Sequence, residues 1–256
     1  MSMRTKTTCL SAAIVLAVTM TPRALIAQAG PPLLTDDPET PGNNKWEINI
    51  AAIILQRRTE RLWSTPLLDI NYGLGERIQL KAEIPWMVLQ SRSGGRNQTG
   101  PGSANVGVKW RFLDRKRHGF AMSTYPQLEF RTSAASVRKG LSETGAELRL
   151  PVELSREFGP VTIVGEVGYQ IVQRQKDEWI YGVAVAHEIN ERIELLGEIH
   201  GESQRDLTAN QIVFNVGGRY NLTKHHTLLF SSGRSLRPTS AKHATWVAYV
   251  GLRFHF

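Results

Sequence analysis

The sequence predicts an all-β protein, an up-and-down transmembrane antiparallel β-barrel of about 12 strands with short periplasmic turns and longer extracellular loops. Three observations predict it. From residue 45 to residue 256 apolar and polar residues alternate in runs of strand length, and charges recur at i+2 inside the apolar runs. On a helix such charges would scatter around the axis, whereas on strands they share one face. Second, no stretch beyond the N-terminus holds the roughly 18 uninterrupted apolar residues of a transmembrane helix, so membrane residence requires a closed barrel. Third, short connections (73–76, 114–119, 156–160, 189–191, 221–226) alternate with mostly longer, Gly-, Ser- and Arg-rich ones (57–62, 90–103, 133–143, 174–177, 202–209, 236–244). That asymmetry, with an even strand number, is the habit of outer-membrane barrels.

The N-terminus reads as an export signal. Arg4 and Lys6 precede a short apolar run over residues 9–20, and Ala27, Gln28 and Ala29 offer a small-x-small cleavage site. The expected organisation is a signal peptide (1–29), an irregular, acidic, Pro-rich segment (30–44) and an outer-membrane β-barrel (45–256). Cys9, the only cysteine, lies before the apolar run rather than after it, so no lipid anchor is expected. It leaves with the signal, and with it any disulfide or thiol chemistry. The formal charge of +8 falls to +5 when Arg4, Lys6 and Arg23 are removed.

The expected strands are 45–56, 63–72, 77–89, 104–113, 120–132, 144–155, 161–173, 178–188, 192–201, 210–220, 227–235 and 245–256. The last shows the pattern most clearly. Trp246, Ala248, Val250, Leu252, Phe254 and Phe256 share one face, with aromatics at both ends and smaller residues between. Outer-membrane strands carry such aromatic girdles where they meet the two interfaces. The candidate girdle residues are Trp46, Tyr72, Trp86, Trp110, Phe130, Tyr169, Trp179, Tyr220, Trp246, Phe254 and Phe256.

With the apolar face toward lipid, the candidate lumen lining is Glu47, Asp69, Lys81, Glu83, Lys109, Arg111, Glu129, Arg131, Glu147, Arg149, Glu166, Glu194, Glu198, Arg219 and Arg253, and the same parity turns Glu153, Glu188 and His200 inward. Twelve strands about 4.8 Å apart and tilted about 40° close to a backbone radius of roughly 12 Å, leaving at most a narrow passage between inward side chains. Acids and bases confined there are expected to pair, because an isolated buried charge is costly. Two readings follow, a polar pore for a small solute or a closed lumen filled by ion pairs. An apolar route requires Ile180, Leu196, Val213, Leu229 and Val247 to cluster. The acids Asp36, Asp37 and Glu39 suggest a plug that reaches basic lumen residues, against a tail held loosely at the rim.

Arg57, Arg58, Arg61, Arg92, Arg96, Arg138, Lys139, Arg234, Arg237 and Lys242 crowd the presumed outer loops, suiting a phosphate-rich lipopolysaccharide leaflet or simply a solvated rim. A nucleic-acid partner is not expected of an exported barrel. Catalysis is not expected either. There is no Gly-x-Ser-x-Gly elbow, and His187, His200, His225, His226 and His243 lack both a Ser partner at the lipid face and metal-ligand spacing. An outer-membrane lipid hydrolase ranks third among the readings, and no cofactor or metal is expected.

Family resemblance points the same way. The closing aromatic strand resembles those of bacterial outer-membrane barrels, whose C-terminal Phe is read by the insertion machinery. Residues 33–41 (LLTDDPETP), followed by Lys45, Trp46 and Glu47, resemble an outer-membrane transporter-like family linked by name to the meta-cleavage pathway of phenol degradation. So do residues 72–78 (YGLGERI) and 191–198 (ERIELLGE). The resemblance spans nearly the whole exported chain and implies an outer-membrane channel taking up small aromatic or hydrophobic compounds. Its motifs are architectural, and no site residue is carried over from it.

Overall fold

The computed structural model describes residues 30–92, 94–206, 210–237 and 244–256. The expected signal peptide, and Lys242 and His243 of the last outer loop, lie outside the described residues. Fourteen strands form one closed antiparallel sheet. The first three are β1 (Trp46–Gln56), β2 (Glu60–Leu74) and β3 (Ile78–Ser91). The fourth stave is broken at Gly102 into β4 (Gln98–Pro101) and β5 (Ser103–Leu113). The fifth is broken at Tyr125 and Pro126 into β6 (Ala121–Thr124) and β7 (Gln127–Arg131). Then follow β8 (Glu147–Phe158), β9 (Val161–Val172), β10 (Glu178–Asn190) and β11 (Ile193–Gln204). The last are β12 (Asn210–Asn221), β13 (His226–Ser235) and β14 (Trp246–His255). Counting each broken stave once gives the expected twelve.

Closure comes from β1, which pairs with β2 on one side and β14 on the other, Ile48 standing opposite both Ile70 and Phe254. The backbones of Trp46 and Phe256 exchange hydrogen bonds of 3.2 and 3.1 Å, so the barrel begins and ends on the short-turn side. Each stave is thereby paired on both sides, as a barrel in lipid requires, although within the fourth stave the short β4 pairs with β3 alone.

Burial is inverted relative to a water-soluble core. Ile84 and Val183 are 53% and 55% exposed, whereas Lys109 and Glu153 are 2% and 0% exposed. Apolar side chains facing outward around a charged interior belong in hydrocarbon. Aromatics mark both ends of the outer face. Trp46 packs on Tyr72 at 4.6 Å and Phe254 stacks on Phe256 at 6.5 Å near the short turns, where Trp110 and Tyr220 also stand. At the other end are Tyr169 against Trp179 (4.9 Å), Phe130, Trp86 and Trp246, the last two donating their indole N–H to Thr99 and Ser232.

Several boundaries differ from expectation. Residues 98–101 pair with β3, although the sequence pattern assigns them to a loop, since Gln-Thr-Gly-Pro carries no apolar alternation. The strand ending at 155 by pattern continues to Phe158, paired with Val161 across a two-residue turn. The connection after β5 contains a single helical turn, α1 (Arg115–His118), capped by Asp114. The loop after β7 contains α2 (Ala134–Arg138), capped by Ser133, and carries Leu141 onto Leu62 and Met87 at the outer mouth. The chain reaches β1 by crossing the end of β2 at Gly73, where a Cβ would lie 1.8 Å from the Gly42 carbonyl oxygen. Only glycine admits that approach.

Candidate functional site

The site is the lumen, and it is built around residues 30–44. This segment contains Pro31, Pro32, Pro38 and Pro41, which lack the N–H a ladder needs, so it does not join the sheet. Buried backbone groups must nevertheless be satisfied. The segment first turns on itself, the Gly30 N–H donating to Thr35 O (2.8 Å) and Leu33 N–H to Gly30 O (3.0 Å). The barrel wall then supplies the rest. Glu198 accepts the backbone N–H of Leu34 and Thr35, both at 2.8 Å, and Glu166 accepts that of Asp36 at 2.9 Å. Lys109 donates to the Asp36 carboxylate (2.9 Å) and to the Asp37 carbonyl. Arg111 and Arg115 both donate to the Glu39 carboxylate.

The strands from β12 to β14 hold the turn through its carbonyls. Arg219 donates to Gly30 O (3.3 Å) and Pro31 O (3.1 Å), and Arg253 to Pro31 O (3.2 Å). Ser231 Oγ donates to Pro32 O at 2.7 Å. Leu33 joins Val164, Ala184, Ala186 and Leu196 in an apolar cluster. Charge-assisted bonds of this kind are about twice as strong as neutral ones, so the segment is anchored as a plug.

The remaining candidate lumen residues mostly pair with one another. Glu47 meets Arg253 at 3.2 Å, Glu194 meets Arg219 at 2.8 Å, and Lys81 bridges Asp69 (3.5 Å) and Glu83 (3.0 Å). Glu147 lies 3.7 Å from Arg149, and Glu129 lines a cleft beside them. Arg131 stands apart. It is exposed at the outer end of β7, its guanidinium 3.4 Å from the Thr144 carbonyl. Glu153, which the alternation along β8 also turns inward, is fully buried between Ser123 Oγ and Lys109 (3.7 Å). Lys109 also lies 4.5 Å from the centre of the Tyr125 ring.

Uncharged polar residues outside the candidate set complete the lining. Asn49 links Asp69 to Arg253 (2.9 Å each), Asn215 donates to Glu198 (3.0 Å), and Gln79 joins Asn71 to Tyr125. All sit at inward positions of the period-two pattern, which is the signal that could have found them. Lacking charge, they do not stand out in the sequence.

Two cavities flank the plug. The outer one, about 400 Å³, is lined by Gly30, Pro31, Lys81, Glu129 and Arg149, with Ile53, Leu67, Val247 and Tyr249 along one side. The inner one, about 360 Å³, opens beside Thr40 and Pro41 and is lined by Glu194, Arg219 and Arg253. The five apolar positions that an apolar route required do not form one cluster. Leu196 packs with the plug, whereas Leu229 packs with Ala51, Leu67 and Tyr249.

Gly182 on β10 faces the plug, and a Cβ there would lie 2.3 Å from Thr35 Oγ1. Gly182→Leu is therefore expected to dislodge the plug while the barrel still forms. Heat-modifiable migration should be retained and single-channel conductance should rise. Unchanged conductance in a folded variant would show that the plug tolerates displacement.

Known proteins share the barrel fold. Residues 29–245 match the family model described as "Putative MetA-pathway of phenol degradation". The chain belongs to that family. This phenol-degradation family barrel also superposes on an outer-membrane channel from Pseudomonas putida F1. That match has 12% identity and a TM-score of 0.73, and covers 86% of this chain and 98% of the other. The KdgM porin matches at 11% identity and TM-score 0.58 over 82% of this chain and 99% of its own. The NanC porin matches at 12% and 0.58, over 81% and 98%. These likenesses establish the fold. Comparison with the curated proteins found no match.

Proposed function

We propose that the protein is an outer-membrane channel admitting small aromatic or otherwise apolar solutes by passive diffusion, with residues 30–44 as its constriction. One observation carries the reading. Gly30 and Pro31 line the outer cavity, and the arginines holding their carbonyls, Arg219 and Arg253, line the inner one. A single latched turn thus stands between two chambers. The family name and the apolar wall of the outer chamber support the solute class, and no catalytic step is involved.

The supporting parts of the reading are an export signal over residues 1–29 and recognition of the closing strand by the insertion machinery. A further part is contact of the basic outer loops with lipopolysaccharide phosphates, at positions such as Arg92, Arg138 and Lys139. Cationic side chains favour a phosphate-rich surface by simple electrostatics.

The test is single-channel recording of the purified protein in planar bilayers, with uptake of small aromatic compounds into liposomes. Discrete conductance steps altered by those compounds are expected. A heat-modifiable barrel that neither conducts nor admits solute would instead be a closed structural barrel. Arg219→Ala with Arg253→Ala removes the latch on the Pro31 carbonyl and is expected to raise conductance or open-channel noise, though less than removal of the whole plug. No change would locate the constriction elsewhere.

A further inference from the structure

Four pairs of carboxylates stand directly opposite one another on adjacent strands of the inner wall. They are Asp69 with Glu83, Glu153 with Glu166, Glu188 with Glu194, and Glu129 with Glu147. Like charges in that position repel. Three pairs have a remedy. Lys81 sits between Asp69 and Glu83, at 3.5 and 3.0 Å. Lys109 lies 3.7 Å from Glu153 while Glu166 accepts the Asp36 N–H. Arg219 lies 2.8 Å from Glu194.

The fourth pair has the weakest one. Arg149 is 3.7 Å from Glu147, and its single charge is shared among Glu147, Glu202, Glu166 and Glu129, while the Ser103 hydroxyl meets the Glu129 carboxylate. Among the described residues no base lies within ion-pair distance of Glu129. Two polar side chains beside this pair are also unsatisfied among the described residues. Asn105, opposite Glu129, has a buried Oδ1 without a hydrogen-bond partner. Gln170, opposite Arg149 on the inward face of β9 and only 6% exposed, has an Oε1 without one. Amide oxygens accept and never donate. Glu129, Glu147 and the Asn105 acceptor therefore line one niche with a single base, Arg149, and the niche is short of positive charge and N–H donors.

The space suits a small head group. Asn105, Gln127, Glu129, Glu147 and Arg149 enclose a niche of about 10 Å³, near the volume that admits one water-sized group. Asn105, Gln127, Glu129 and Arg149 also line the outer cavity, whose far side carries Ile53, Leu55, Leu67 and Val247. No group of three His, Cys, Asp or Glu side chains suited to a metal ion comes together among the described residues.

We propose that the outer chamber binds an organic amine: its ammonium group between Glu129 and Glu147, donating to Asn105, and its apolar body along the Ile53–Leu67–Val247 wall. This rests on the channel reading for its biological sense but not for its test. The full chain in nanodiscs of zwitterionic lipid is titrated with octylammonium, 1-octanol and octanoate, followed by calorimetry. Octylammonium is expected to bind saturably, about tenfold tighter than 1-octanol, as one added charge-assisted contact implies, with octanoate weakest. Glu129→Gln with Glu147→Gln should bring octylammonium down to the level of 1-octanol and leave 1-octanol unmoved. If the double variant fails to migrate as a folded barrel, Glu129→Gln alone serves.

Equal binding of the amine and the alcohol overturns the proposal, as does an amine preference that survives in the folded variant. Liposome uptake, measured on the same preparations, separates the two readings. Solute entry without amine preference removes this site and keeps the channel. Amine binding without entry of any solute keeps the site and removes the channel.

Discussion

Deletion of residues 30–43 is expected to convert a constricted barrel into an open pore, raising single-channel conductance several-fold and suppressing its fluctuations. The plug lies between the two cavities and is held by Lys109, Glu166 and Glu198 on β5, β9 and β11 and by Arg219, Ser231 and Arg253 on β12, β13 and β14. Its removal leaves the strand pairing of β1 with β2 and β14 intact, so the barrel should still insert and migrate as a folded species. It also removes Asp36, Asp37 and Glu39 and so takes the acidic partners of the plug from Lys109, Arg111 and Arg115, which should move ion selectivity toward anions. If the deletion left conductance and selectivity unchanged, residues 30–43 would not form the constriction, and the two-chamber reading would fall with them.

The largest effect on stability is expected from Lys109→Met. The Lys109 ammonium is 2% exposed and is held by the Asp36 carboxylate, the Asp37 carbonyl and the ring of Tyr125, with Glu153 at 3.7 Å. Methionine keeps the volume and removes the charge, leaving Glu153 buried with only the Ser123 hydroxyl as hydrogen-bond donor among the described residues. Breaking a buried pair by removing one partner costs about 3–5 kcal/mol. The expected result is a loss of that size in denaturant unfolding from lipid vesicles. Adding Glu153→Gln to Lys109→Met should recover part of it, since a neutral amide has less solvation to lose. A cost below about 1 kcal/mol, the value of an exposed pair, would mean that water reaches this part of the lumen freely.

Which residues face inward is legible in the amino-acid sequence, because alternation is a local property of the chain. Lys81, Lys109, Glu166, Glu198, Arg219 and Arg253 need only a parity count along their own strands. Neutral lining residues such as Asn49 and Gln170 obey the same parity, yet a polar uncharged side chain is weak evidence of a face. The break at Tyr125 and Pro126 is masked by the alternation of Met122, Leu128 and Phe130 on either side of it, and the short strand at 98–101, which carries no apolar alternation, is defined only by its pairing with β3.

By itself, then, the sequence determined the twelve staves, their lipid-facing and inward faces, and the family, because each rests on spacing of two residues or on short contiguous motifs. The tertiary structure alone decided what fills the lumen. Glu198 reaches Thr35 across 163 positions and Arg253 reaches Pro31 across 222, contacts that exist only once the barrel has closed. It decided likewise that Lys81 bridges Asp69 and Glu83, whereas Glu129 and Glu147 face each other with only Arg149, 3.7 Å from Glu147, beside them. Strand register sets those pairings, and register depends on the neighbouring strand as much as on the residues themselves.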